Sequence, residues 1–190
     1  MANTLSAGDL RRLSTDELLQ LFCTLEAPGI EEMQGEYTAS LLAQPNWLAT
    51  ATGRAAVANP LRRWLCKAFR PVDGETGRGY NSFLQGGRVV QRYPMLTLLA
   101  PSRFDGRPAY QLIYRQFKSA CGDVHMVDEV RRVASGLYLG IGTWGFTAAQ
   151  RRIPLPFVLE GPVATYTRDI GRVRKNFQIG PRELPAISGA

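Results

Sequence analysis

A chain of 190 residues, 45% hydrophobic and 21% charged, holds material for one domain with a substantial core, which excludes global disorder and leaves little room for a second domain. The formal charge of +7, from 23 basic and 16 acidic residues, predicts a basic surface, but no basic run interleaved with aromatics, zinc-finger pattern or RNA-recognition signature accompanies it. The three cysteines, Cys23, Cys66 and Cys121, fit neither a disulfide framework nor a zinc spacing, no window reaches transmembrane length, and residues 1–20 lack the apolar stretch of a secretory leader, so a cytoplasmic protein with free thiols and no bound metal is expected.

The first element is a helix over about residues 15–26. Ser14 and Glu17 stand at capping-box spacing, and Leu18, Leu21, Phe22 and Leu25 recur at helical intervals before Pro28-Gly29 ends the run. A soft region follows through AQPNWLATATGRAAVANP. Residues 61–69, LRRWLCKAF, are compatible with either a short helix or a strand.

The texture then changes to short strands divided by turns. Gly86-Gly87 marks a hairpin between NSFLQ and RVVQRYPMLTLLA, and Asp105-Gly106 supplies another tight turn. AYQLIYRQF alternates, with Tyr110, Leu112 and Tyr114 on one face and Gln111, Ile113 and Arg115 on the other. HMVDEVRRV and GLYLGIGTWG follow across short turns, so three strands of about ten residues run in succession, the mark of an antiparallel meander. IPLPFVLEGPVATYTRD adds one or two more, with Pro154 and Pro156 favouring an edge or a strand entry. The single domain thus reads as a helix, a strand-rich part over about 33–170, and a loose tail over about 176–190.

Gly140-x-Gly142-x-x-Gly145 has the spacing of a dinucleotide-binding loop, with Glu160 twenty residues on from Gly140. The required crossover helix is missing, because only FTAAQRR separates Gly145 from Ile153. No cofactor is therefore expected. As a strand, the stretch carries Leu137, Leu139 and Ile141 on one face. Tyr138, Gly140, Gly142 and Trp144 share the other, where glycine permits a bend or a close approach.

MQGEYTASLL, RRWLCKAFRP, GYNSF, FDGRPAYQLIYRQF and HMVDEVRRVASGLYLGIGTWG occur in an order that resembles the bacterial GXWXG-type family of uncharacterised domains. The matching positions are Gly35 and Tyr37; Trp64, Lys67 and Phe69; Arg107 and Tyr114; Asp128 and Arg131; and Leu139 and Gly140. The opening departs from the pattern, with Gly35-Glu36-Tyr37 in place of Gly-x-Trp-x-Gly and Cys66 before Lys67. The resemblance spans about residues 30–145 and implies a small lipocalin-like barrel with an internal cavity; together with the helix and meander read above, the fold expected is mostly β, an antiparallel meander closing into a lipocalin-like barrel with an N-terminal helix. Such barrels commonly enclose apolar small molecules.

His125 is the only histidine, so a catalytic triad and a multi-histidine metal site are excluded. In VDEVRR, strand alternation puts Glu129 and Arg131 on the face of His125, and Asp128 and Arg132 on the other. An inward carboxylate–arginine pair would anchor a ligand head, whereas an outward one is a surface salt bridge. Trp64, Tyr80, Tyr110, Tyr114, Tyr138 and Trp144 are the large amphipathic aromatics available to line a pocket with His125, Asp128 and Arg131, although aromatics in strands are commonly plain core.

The function expected is a carrier or sensor of an apolar small molecule or lipid. One alternative is an isomerase or hydrolase using Asp128, Glu129 or His125 as acid or base. Another is an interaction module whose basic stretch, Arg168, Arg172, Arg174 and Lys175, meets anionic lipid or nucleic acid, with DNA not expected.

Overall fold

The computed structural model describes residues 5–47, 58–59 and 62–185, the pair Ala58–Asn59 by backbone alone. Most of the soft region and the last five residues lie outside the described residues. A short helical turn α1 (Ala7–Leu10) and helix α2 (Thr15–Thr24) precede the sheet. The strands are β1 (Gly35–Leu41), β2 (Ala58–Asn59), β3 (Arg62–Pro71), β4 (Thr76–Gln85), β5 (Arg88–Pro101), β6 (Pro108–Ile113), β7 (Val127–Ala134), β8 (Leu137–Thr143) and β9 (Leu155–Ala164). A third helical turn, α3 (Ala120–Asp123), lies between β6 and β7.

β3 to β9 pair each with the next, all antiparallel. β1 pairs with β9 on one side and with β3 on the other, and so closes an eight-stranded barrel, with β2 alongside the start of β3. The expected antiparallel barrel with an N-terminal helix is what forms. The undecided segment at residues 61–69 falls in strand β3 from Arg62 onward. Gly86 and Gly87 turn the β4–β5 hairpin with φ of 56° and 74°, the backbone that such two-residue turns need. Pro156 is the second residue of β9, a strand paired on both sides, so the entry placement holds and the edge placement does not.

The barrel has two buried layers. Inside lie Tyr37, Ala39, Phe69, Met95, Tyr110, Leu112, Tyr114, Val130, Tyr138, Phe157 and Leu159, with Ile30 and Met33 closing one end. Outside, Leu18 and Phe22 of α2 cover Leu139, Ile141 and Val158. The Ser14 capping box starts that helix as expected, and Arg131 Nη1 donates to Phe22 O near its end at 2.8 Å. The period-2 pattern of β8 therefore resolves with its aliphatic face towards α2 and its glycine face inward. β8 is buried at every position, and β7 from Val127 to Arg131, because each face has its own cover.

Three expectations need correction. AYQLIYRQF is a strand only to Ile113, and then tightens into a 3₁₀ turn over Tyr114–Gln116. Trp144 lies beyond the end of β8 and is 42% exposed, so it lines nothing inside. The segment expected as a loose tail is bound down in its described part, to residue 185: Arg103 Nη2 donates to Glu183 O at 2.8 Å, His125 Nδ1 meets Glu183 Oε1 at 3.1 Å, and Leu184 is buried. Among the described residues no helix is long and apolar enough to cross a membrane.

The gap at Gly140 is already used. A Cβ there would fall 2.1 Å from the Phe157 ring, well inside van der Waals contact. Gly140→Ala is expected to lower the unfolding free energy by about 1–3 kcal/mol, whereas Gly29→Ala, which meets nothing within 4 Å, leaves it almost unchanged. Urea denaturation of the two variants checks this, and equal midpoints would contradict the packing described.

Candidate functional site

At the end of the barrel away from Ile30 and Met33, the interior turns polar. Lys67 on β3, Asn81 on β4 and Asp128 on β7 meet the phenol of Tyr114, just past β6. Lys67 Nζ donates to Asp128 Oδ2 at 2.7 Å, to Tyr114 Oη at 2.5 Å and to Asn81 Oδ1 at 3.1 Å, which uses all three of its hydrogens. Tyr114 Oη donates to Asp128 Oδ2 at 2.9 Å and accepts from Asn81 Nδ2 at 3.2 Å. Trp64 Nε1 donates to Asn81 Oδ1 at 3.1 Å. The two charged side chains are only 3% and 5% exposed.

The surroundings are aromatic. The Lys67 ammonium lies 5.1 Å from the Phe157 ring centroid, 5.2 Å from Trp64 and 5.3 Å from Tyr114, distances at which ring faces attract a cation. Burial, with the Asp128 charge adding to it, pushes the Tyr114 phenol well above the ordinary tyrosine range. It therefore stays a neutral donor at physiological pH. Half-buried Trp64, Tyr93, Cys121 and Met126 border the group. Burial also pushes the Cys121 thiol up to about 12, which leaves it a poor nucleophile.

Local irregularities put these side chains together. Trp64 and Lys67 are three apart, so a regular strand would send them to opposite faces. The register of β3 against β4 shifts between Trp64 and Cys66, and both side chains reach Asn81 from within the barrel. The β4–β5 register shifts likewise between Gly79 and Asn81, beside Tyr93 with φ of 54°, and Tyr93 joins the inner cluster.

Of the residues picked from the sequence, Trp64, Tyr110, Tyr114, Asp128 and Tyr138 face the interior, and Trp64, Tyr114 and Asp128 converge. Tyr138 lies at the plugged end, donating to Glu32 Oε1 at 2.9 Å. Tyr80 points outward, where it donates to Glu36 Oε1 at 2.8 Å and stacks near Tyr166. Arg131 is buried on the outer wall, forking onto Asp105 at 2.7 and 2.8 Å under α2, and so cannot anchor an interior ligand. His125, outside β7 with φ of 54°, binds the tail instead.

The carboxylate pairing also differs from the expectation. Asp128 pairs inward with a lysine rather than an arginine, and Glu129 pairs on the outer wall with Arg103, both buried. Neither is a surface salt bridge. Asn81 carried no signal that sequence reasoning would find. Lys67 entered only through the family resemblance, although a lysine between Cys66 and Ala68, and one of just three in the chain (Lys67, Lys118, Lys175), is itself a signal.

The basic C-terminal stretch is partly engaged. Arg174 pairs with Asp123, and the Arg172 carbonyl accepts from Lys118 N at 2.9 Å. Among the described residues no three His, Cys, Asp or Glu side chains gather to hold a metal ion.

No protein-family model matches the chain, and no curated protein matches it. Among solved structures it is similar to a protein from Thermomonospora curvata, at 16% identity and a TM-score of 0.50 over 78% of this chain and 87% of that one. At that identity the likeness concerns the fold, a closed antiparallel barrel, and nothing more.

The buried pair gives a stability prediction. Lys67→Met leaves the Asp128 carboxylate without its counter-charge and is expected to lower the unfolding free energy by about 3–5 kcal/mol, while Lys67→Met with Asp128→Leu recovers most of the loss. Denaturation of the single and double variants decides this, and a mild single-variant effect of under about 1 kcal/mol, as for an exposed pair, would contradict it.

Glu129 gives a pH prediction. Burial is the main cause that raises its carboxyl above the ordinary 4.5, outweighing the Ser102 and Arg103 hydrogen bonds. Above 4.5 the unfolded chain loses this proton while the folded chain keeps it, so the stability it contributes in acid is lost as pH rises through the folded value. The difference in unfolding free energy between Glu129→Gln and the parent should therefore shift in favour of the variant from about pH 4.5 upward. A difference that is flat with pH would show Glu129 unshifted.

Proposed function

We propose that the barrel binds a small, largely apolar molecule at its Trp64 end, with the Lys67–Asp128–Tyr114 group as the polar feature that the ligand meets. The observation that carries this is the ion pair itself, almost fully buried among aromatic rings in an otherwise apolar interior. A well-packed apolar core would stabilise a barrel as well as or better than a buried pair does, so stability alone does not account for it. Concave apolar surface with a few convergent polar groups is the common make-up of small-molecule sites, and small barrels take them at their mouths. The half-buried rim of Trp64, Tyr93, Cys121 and Met126 lies at this end, while Ile30 and Met33 fill the other.

A second reading keeps the site and adds a proton transfer. Asp128 is a buried carboxylate with no arginine beside it, next to a neutral phenol, and so has the surroundings of a general base. Glu129 and His125 lie on the outer wall and take no part in it.

N-phenyl-1-naphthylamine, a neutral apolar probe that fluoresces on transfer from water, tests the binding. Saturable one-to-one uptake, reduced at least about tenfold by Met126→Trp at the rim, is the expected result. Uptake that never saturates, or that the rim substitution leaves unchanged, overturns the reading. Recovery of a bound molecule with its hydrogen exchanged for solvent deuterium in the parent but not in Asp128→Asn favours the second reading over the first.

A further inference from the structure

The interior group is fully paired except at one atom. Both hydrogen bonds to the Asp128 carboxylate, from Lys67 Nζ and from Tyr114 Oη, go to Oδ2. Oδ1 receives none from any described residue, and it is not among the fully buried polar atoms left without a partner, so what little exposure the 5% exposed side chain keeps includes this oxygen. A carboxylate oxygen that stays open on an otherwise buried ion pair is the place where the group can accept a further hydrogen bond. Oδ1 lies against Gly142, the cross-strand partner of Asp128 on β8, where a Cβ would stand 3.0 Å from it. At Gly140 the Phe157 ring fills the space that the missing side chain leaves, whereas at Gly142 the nearest atom is this unsatisfied oxygen.

The charges in the group balance. Lys67 has given its three hydrogens to Asp128, Tyr114 and Asn81, so no ammonium hydrogen remains for an anionic ligand head. Tyr114 and Trp64 have also committed their single donors. What the Lys67–Asp128–Tyr114 group offers a ligand is an acceptor. We infer that the barrel selects a neutral molecule with an apolar body and one hydrogen-bond donor, a hydroxyl, phenol or N–H, which Asp128 Oδ1 receives above Gly142. This rests on the proposed binding at the Trp64 end and names the ligand class for that site. The Lys67 pairing then has a definite effect: it occupies Oδ2 and directs the carboxylate's remaining acceptor strength into the ligand space.

Three probes of one shape separate the possibilities: 2-naphthol, its methyl ether, and 2-naphthoate, titrated calorimetrically into the full chain at pH 7. The naphthol is expected to bind about ten- to a hundredfold tighter than the ether, the range for a hydrogen bond to a charged acceptor, with the naphthoate weakest. Gly142→Ala, which crowds Oδ1 but removes neither partner of the Lys67–Asp128 pair, should bring naphthol affinity down to that of the ether and leave the ether's unchanged. Equal binding of naphthol and ether, or tightest binding of the naphthoate, overturns this inference and leaves the binding reading standing. Failure of all three, together with N-phenyl-1-naphthylamine, removes the binding reading itself.

Discussion

A lysine ammonium inside a β-barrel has to be neutralised and hydrogen-bonded where it stands, and the polar end of this protein is built around that requirement. Lys67 alone would be untenable among Trp64, Phe157 and Tyr114. Asp128 supplies the opposite charge, and Tyr114 and Asn81 take the remaining hydrogens. Four elements, β3, β4, β7 and the turn after β6, are thereby fixed relative to one another at a single point. Tyr114 belongs to that point, so the β6–β7 connection with its helical turn at Ala120–Asp123 is tied to the barrel end where Cys121 and Met126 form part of the rim.

The outer wall meets the same problem in a different way. Arg131 under α2 and Arg103 under the C-terminal segment are buried guanidiniums, but each holds a covering segment in place: Arg131 through Phe22 O, Arg103 through Glu183 O. Adjacent residues of one strand, Asp128, Glu129 and Arg131 among them, thus serve two layers. Inward charge shapes the interior site, and outward charge fastens the helix and the tail. This division follows from strand alternation, and it explains why β7 is buried on both faces from Val127 to Arg131 despite carrying three charged residues there.

The fold was legible because its signals are local. Ser14 and Glu17 mark the helix start, the Gly86-Gly87 and Asp105-Gly106 turns divide the strands, and alternation in YQLIY and LYLGIGT assigns faces without any knowledge of the partner strands. The site was legible in part. Parity along β7 correctly separates Asp128 from Glu129 and Arg131, but which face is inward depends on where α2 docks, and no local pattern encodes that. Tyr80 was misplaced because its aromatic character suits either face, and the outer one is here covered by Tyr166, just past the end of β9. Lys67 and Trp64 could not be put together by counting, since the register shift beside Leu65 reverses the parity between them. Asn81 joins them only through contacts across strands. Closing a barrel makes neighbours of residues that lie 61 positions apart, as Lys67 and Asp128 do.

The interior site depends on Lys67 being a buried ammonium with all three hydrogens bonded, and proton–nitrogen correlation NMR of lysine side chains observes that group directly. The chain has only Lys67, Lys118 and Lys175, so assignment needs one substitution apiece. Slow solvent exchange should make the Lys67 ammonium visible at neutral pH and room temperature, with the other two lost to exchange, and Asp128→Asn should abolish its signal or shift it strongly. A Lys67 signal lost to exchange along with those of Lys118 and Lys175 would show that the interior pair does not form, and the site described around it would fall with it.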